Sequence, residues 1–309
     1  MKVIYWNSSH KNFGDDLNKT YWTRIFGHGF SSNDENDALL GIGSILHFDV
    51  SNYKKVFVLG SGFMRPARIK FDQCKYYFCF VRGPLTAQLV SSEAPTSITD
   101  PAVLIRELYQ VPSQNPVRRK PILVPHYVTA LKGGWEQAAS LADCSYLDPR
   151  SSLEKICTDI SGASVALVES LHGAIIADIY RVPWVPVATS QVQRQNFKWR
   201  DWCASLNLEY KPAHLPDLRS KKDGFLFNYP DEFKRRLATF NIGPSRWLAK
   251  AGRPSQEKDI VTASLLLRKL IGEYPIVLSD QYLLNAKKTQ MLSIFNQFAL
   301  RVLGRSISL

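Results

Sequence analysis

The residues best suited to chemistry in this 309-residue sequence lie in short loops that follow apolar runs. His172 stands in Glu169-Ser170-Leu171-His172-Gly173, after the apolar run 164–168 and before a helix expected over 174–180. Backbone N–H groups and the dipole at such a helix start favour a bound anion, and a bound phosphate in turn favours the imidazolium. His172 reads as an acid or phosphate partner, or as a structural histidine hydrogen-bonded at a sheet edge. Asp15 and Asp16 follow Gly14 in the first loop. They suit orienting or deprotonating a substrate hydroxyl, and equally suit capping a helix that begins at Leu17.

Arg82 opens a strand-to-helix turn, where a guanidinium can clamp a carboxylate or phosphate with two prongs or form a surface ion pair. Gly60-Ser61-Gly62 allows close backbone approach to a ligand but lacks the rest of a dinucleotide or P-loop fingerprint. Arg194 and Lys198 bracket a loop after the run 182–188, as an anion clamp or a solvated face. His126 meets a cleft or caps a strand, and His10 shares the loop of Asp15. The sequence contains no H-E-x-x-H, no G-x-S-x-G and no D-x-D pair in a candidate loop, which counts against zinc hydrolysis, serine hydrolysis and manganese-dependent glycosyl transfer.

These loops need a scaffold that gathers them. Short apolar runs at 2–6, 38–42, 55–59, 76–81, 122–124, 144–147, 164–168 and 182–188 alternate with helix-like stretches at 17–26, from Pro84 to Leu89, 151–160 and 174–180. That alternation predicts parallel sheets covered on both faces, with ligand loops at the carboxyl edge of the strands. A proline-rich polar stretch, 112–121, reads as a linker between two such units, 1–111 and 122–215. The rest, 216–309, loses the strand rhythm and reads as a helical extension, with helices over 257–271 and 281–303. The expected architecture is α/β, two Rossmann-like domains facing across a glycosyltransferase-B-like cleft.

The net charge is +12, and it is uneven: 20 basic and 17 acidic residues up to Asn196, then 19 and 10. An excess of this kind fits an anionic partner. Met291, Phe295, Phe298 and Val302 share one face of the last helix, with Lys287, Lys288, Arg301 and Arg305 nearby. That face either packs on the core or rests on an anionic membrane surface. The dispersed basic residues match no nucleic-acid motif. Five cysteines with no C-x-x-C pair speak against a disulfide framework or zinc knuckle and fit a reducing, cytoplasmic setting. No apolar run is long enough to span a membrane.

Taken as an ordered set, Asn12-Phe13-Gly14-Asp15-Asp16-Leu17-Asn18, Gly60-Ser61-Gly62, Val81-Arg82-Gly83-Pro84-Leu85-Thr86, Thr99-Asp100-Pro101-Ala102 and Glu169-Ser170-Leu171-His172-Gly173-Ala174 resemble the polysaccharide pyruvyltransferase family over roughly residues 1–190. The likeness points to its bacterial exopolysaccharide, succinoglycan-type branch. The resemblance implies transfer of the enolpyruvyl unit of phosphoenolpyruvate to a sugar, with a cyclic pyruvate ketal as product and phosphate released. It implies no cofactor and no metal, a lipid-linked oligosaccharide as acceptor, peripheral contact with the inner membrane, and no nucleic acid.

Within that reading His172, Asp15 and Asp16 are catalytic. Arg82, Ser170, Gly173, His126, Arg194 and Lys198 bind the donor; Asn12, Gly14, Gly60, Ser61 and Gly62 bind the acceptor. Many members of the family carry arginine where this chain has Ser170, so another cation must stand in, with Arg82, Arg194 and Lys198 as candidates. The alternatives are a nucleotide-sugar glycosyltransferase of the same plan and a non-catalytic basic protein bound to membrane or nucleic acid.

Overall fold

A computed structural model describes residues 1–7, 11–27, 30, 36–67, 69–90, 95–109, 120–189, 196–218 and 255–307. His10, Arg194 and most of the expected linker lie outside the described residues.

The strands form two all-parallel sheets. The first holds β1 (Lys2–Ile4), β2 (Asp37–Leu40), β3 (Lys55–Leu59) and β4 (Tyr76–Phe80), side by side in chain order. The second holds β5 (Ile122–Val124), β6 (Ser145–Tyr146), β7 (Ala166–Val168), β8 (Trp184–Thr189) and β9 (Ala213–Leu215), in the order β6-β5-β7-β8-β9. Central strands such as Lys-Val-Phe-Val-Leu are buried on both faces, which is why they read as continuous apolar runs rather than as alternating ones.

The helices, in chain order, are α1 (Phe13–Asp16), α2 (Tyr21–Phe26), α3 (Pro84–Val90), α4 (Ile105–Leu108), α5 (Tyr127–Ala130), α6 (Trp135–Leu141), α7 (Leu153–Ser161), α8 (Leu171–Ile179), α9 (Asn196–Ser205), α10 (Glu257–Glu273) and α11 (Gln281–Phe298). A π-helical turn, Ala299–Leu303, extends α11.

Several expectations are corrected. The helix expected over 17–26 is interrupted: a 3-10 turn, Leu17–Lys19, precedes α2, and the break falls at Thr20. Asn18 lies in that turn and ties it down by donating to the Ile42 carbonyl (3.0 Å) and accepting from the Trp22 indole (2.9 Å). Helix α8 starts at Leu171, not 174, with Ser170 as its cap, so His172 lies inside the first turn. Beyond the run 182–188 the sheet gains a strand not among the expected runs, β9, which pairs with β8.

The last helices return to the sheets. Helix α10 lies on α6 and the outer face of the second sheet. Helix α11 crosses back to the first sheet, where Phe295 packs on Trp22, Phe26 and Phe80 and Phe298 on Phe57. Met291, Phe295 and Phe298 are buried there, so the apolar face weighed as a membrane rest belongs to the core; of those four residues only Val302 is exposed. The crossing is pinned beforehand: Val277 bridges Trp184, and the buried Asp178 carboxylate accepts from the Trp184 indole and from the backbone and hydroxyl of Ser279. Among the described residues no helix is long and apolar enough to cross a membrane.

Candidate active site

The strand order of the second sheet reverses between β5 and β7. The chain leaves β5 toward β6 and comes back to the other side, which makes the carboxyl ends of β5 and β7 a switch point of the kind where open α/β sheets bind ligands. His126 follows β5, and Glu169, Ser170 and His172 follow β7.

Glu169 straps this edge together. Its buried carboxylate accepts from the His126 backbone (2.9 Å), the Thr189 backbone (3.1 Å) and the Thr189 hydroxyl (2.8 Å), joining the ends of three strands. The Nδ1 of His126 accepts from the Val128 backbone, and burial next to Lys198 and Lys132 pulls its pKa down to about 3. His126 is therefore a neutral cap of α5.

The Ser170 hydroxyl accepts from the Gly173 backbone (3.4 Å) and caps α8. Gly173 packs on Val124, where a Cβ would sit 3.2 Å from the valine side chain.

His172 projects from α8 against the first unit. Its ring lies edge-on to Phe13, with centroids 6.4 Å apart, and a Cβ on Gly14 would fall 2.0 Å from its Nδ1. Only glycine at 14 lets the imidazole occupy that place. Burial lowers the pKa of His172 to about 4; Asp15 opposes the shift, while Lys198 and Arg82 add to it.

The two aspartates of the first loop part ways. Asp15 turns inward, accepts from Asn12 (2.7 Å), and has its pKa raised chiefly by burial, against the pull of His172, Asn12 and Lys198. Asp16 turns outward and pairs with Lys19 at 2.5 Å. Neither caps the helix as expected; both lie within α1, which begins at Phe13. Asn12 reaches the site through Asp15.

Lys198, on α9, is half-buried and makes no hydrogen bond or ion pair with a described residue. Burial lowers its pKa to about 8, countered by Asp15 and Glu169 and reinforced by Arg82. An ammonium of this kind, facing two carboxylates and an imidazole, is a ready partner for an added anion.

Two groups expected to touch ligand are held otherwise. Arg82 is wholly buried: it donates to Asp201 (3.1 Å), Ser44 (2.7 Å) and the Phe63 carbonyl (2.8 Å). With its fork engaged in this way it acts on the site through its charge and not as a clamp. The Gly60-Ser61-Gly62 turn is likewise buried. A Cβ on Gly60 would meet Pro101 at 2.2 Å, one on Gly62 would meet Arg82 at 2.6 Å, and the Ser61 hydroxyl donates to the Gly43 carbonyl. The close approach these glycines permit is to the protein's own side chains.

The family model of polysaccharide pyruvyl transferase matches residues 2–191, a span that holds Asp15, Asp100, Glu169 and His172 and stops short of Lys198. The chain belongs to the polysaccharide pyruvyl transferase family. It is also similar to the succinoglycan biosynthesis protein ExoV of Rhizobium meliloti (strain 1021), 34% identical over 220 residues, covering 70% of this chain and 68% of the relative. No solved structure matches. As a polysaccharide pyruvyl transferase the chain is a transferase.

Sequence reading passed over three residues of the candidate site. Glu169 and Asp100 both stand in motifs that carried the family likeness, yet were given no role of their own. The third, Asp201, meets Arg82 from 119 positions away, a pairing that no local pattern announces. Among the described residues no cluster of three His, Cys, Asp or Glu side chains is placed to hold a metal ion.

Proposed function

We propose that this transferase moves the enolpyruvyl unit of phosphoenolpyruvate onto a sugar of an exopolysaccharide precursor, closes a cyclic pyruvate ketal across two hydroxyls and releases phosphate. The two sheets then serve as Rossmann-like halves across a glycosyltransferase-B-like cleft, with residues 1–111 on the acceptor side and 122–215 on the donor side. The acceptor rides on a lipid carrier at the cytoplasmic face of the inner membrane.

The observation that supports this reading most is the ammonium of Lys198, without an ion pair among the described residues, in the fields of His172 and Asp15. The donor carries a carboxylate and a phosphate and needs fixed positive groups. Lys198 is the cation that stands in for the arginine missing at Ser170, and the first turn of α8 supplies backbone N–H groups beside it.

The roles follow from charge. In the free protein His172 is neutral, so its proton has to come with the donor, whose negative charge raises the proton affinity of the ring. The imidazolium then gives that proton to the methylene carbon of the donor, leaving an oxocarbenium-like centre at the neighbouring carbon. A sugar hydroxyl attacks this centre and loses its proton to Asp15. The second hydroxyl then attacks the same carbon, gives its proton to the imidazole that His172 again presents, and closes the ring as phosphate leaves with both electrons of its C–O bond.

Incubation with phosphoenolpyruvate and lipid-linked oligosaccharides tests the reading: phosphate release together with an acid-labile mass gain on the oligosaccharide is expected. Thermal shift separates the competing donor class. Phosphoenolpyruvate should raise the melting temperature and UDP-sugars should not; the opposite pattern would make the chain a nucleotide-sugar enzyme.

A further inference from the structure

Two buried polar atoms of this site have no hydrogen-bond partner, and they face one another. Nε2 of His172 and Oδ2 of Asp100 lie 4.0 Å apart, the first from the second sheet's side, the second from the first unit. Asp100 is fully buried and fixed: its Oδ1 accepts from the Ala102 backbone at 3.0 Å and caps the turn Pro101–Leu104, which leaves Oδ2 aimed at the ring. A buried donor and acceptor left unmade are costly, and an approach of about 1 Å would join them.

We propose that Asp100 is the positioning residue of His172: its free carboxylate oxygen accepts the Nε2 proton, fixes the imidazole as the Nε2–H tautomer, and leaves Nδ1 as the nitrogen that takes up and delivers the reacting proton. The proposal rests on the pyruvyl-transfer reading above for its chemistry, but not for its geometry.

The surroundings agree. Nδ1 sits in the place that a side chain at Gly14 would fill, and Asp15 and Lys198 act on the ring through their charge, whereas Nε2 is buried in protein. The charged groups around the pair are Asp15 on α1, Lys198 and Asp201 on α9, and Arg82 after β4. Tyr21, on α2, also faces Asp100 and donates its hydroxyl to the Pro101 carbonyl. Burial raises the Asp100 pKa to about 6, against the pull of Arg82, so the carboxylate is ionised and able to accept at neutral pH. A hydrogen bond at one ring nitrogen decides what the other can do. When Nδ1 takes a second proton, the Asp100 carboxylate also steadies the resulting cation.

Nitrogen-15 spectra of histidine-labelled protein, with the His172 signal assigned through His172→Gln, read the tautomer without any substrate. In the wild-type protein at pH 8 we expect Nε2 protonated and Nδ1 bare; the reverse overturns the proposal even if Asp100 variants fail to fold. Asp100→Asn keeps an oxygen for the Ala102 backbone and should lose the tautomer preference. In the transfer assay it should lower kcat by about 10²-fold or more while KM for phosphoenolpyruvate stays within about threefold. An Asp100→Asn protein with an unchanged His172 spectrum and an unchanged pH profile also overturns it. If phosphoenolpyruvate is not used at all, the pyruvyl-transfer reading falls, and the spectra still decide the tautomer.

Discussion

Arg82 and Asp201 form an ion pair in which neither side chain is exposed, with Nε 3.1 Å from the carboxylate. The pair joins the turn after β4 to α9, the helix that carries Lys198. Asp201 also accepts from the Thr86 backbone and hydroxyl, and a Cβ on Gly83 would lie 2.1 Å from the Asp201 carbonyl oxygen, so α3 and α9 are locked at close range. In the chain α9 lies between β8 and β9 of the second sheet, where Trp199 and Trp202 pack on Trp184, and this pair ties it to the first unit as well. Removing one partner strands a buried charge. Asp201→Ala should cost about 3–5 kcal/mol, seen as a lower midpoint in urea. A loss below about 1 kcal/mol would mean that water reaches the guanidinium.

Gly14 decides whether His172 fits. Gly14→Ala puts a Cβ where the ring already is, so the imidazole has to swing away while the outward-facing Asp16 and Lys19 stay as they are. Phosphate release should fall by at least about 10²-fold, the share of rate that an acid or base group supplies, with a far smaller change in melting temperature. Full activity in this variant would separate His172 from the chemistry.

Lys198 and Ser170 make a compensating pair. Lys198→Ala should raise KM for phosphoenolpyruvate by about tenfold or more, in line with the 1.5–3 kcal/mol of a hydrogen bond to a charged group. Adding Ser170→Arg puts a cation at the start of α8, and part of the loss should return. It also removes the α8 cap, so the double variant should melt earlier by the equivalent of about 1 kcal/mol. Tight donor binding by Lys198→Ala alone would point to residues outside the described segments.

Donor binding should take up a proton. His172 is neutral in the free protein above about pH 4, and the donor's negative charge favours the imidazolium. Calorimetry at pH 7 in buffers of different ionisation enthalpy should report uptake approaching one proton per phosphoenolpyruvate, and none with His172→Gln. Equal apparent enthalpies in all buffers for the wild-type protein would sink the idea.

His126 leaves a signature in acid. Its folded pKa, near 3, lies below the ordinary 6.5, so the unfolded chain binds a proton that the folded one refuses. The stability it contributes is fully present above about pH 6.5 and drains away as pH falls toward 3. His126→Asn keeps a capping oxygen and lacks this titration. The melting-temperature gap between wild type and variant should narrow from pH 6.5 to 4; parallel curves would show that the imidazole is wet.

Much of the scaffold could be read from the chain because parallel strands announce themselves. The runs 55–59 and 122–124 are β3 and β5 to the residue, since both faces are covered and every position is apolar or at an end. Strand β9 escaped because three residues, Ala213-His214-Leu215, carry no period. Helix α9 escaped because Trp199 and Trp202 are buried in an otherwise charged stretch and give no clear amphipathic stripe. At the site, a histidine at a helix start and a carboxylate after the first strand were legible from residue type and loop position. The inward turn of Asp15, the burial of Arg82 and the facing of Asp100 on His172 were not, because each depends on a partner far away in the sequence.

The seating of α11 on the first sheet bears on how the protein is born. Trp22, Phe26, Phe57 and Phe80 leave the ribosome long before Met291, Phe295 and Phe298, which cover them. Until α11 is made, those rings lack their cover, and exposed apolar surface of this kind is what makes a partly made chain prone to aggregate.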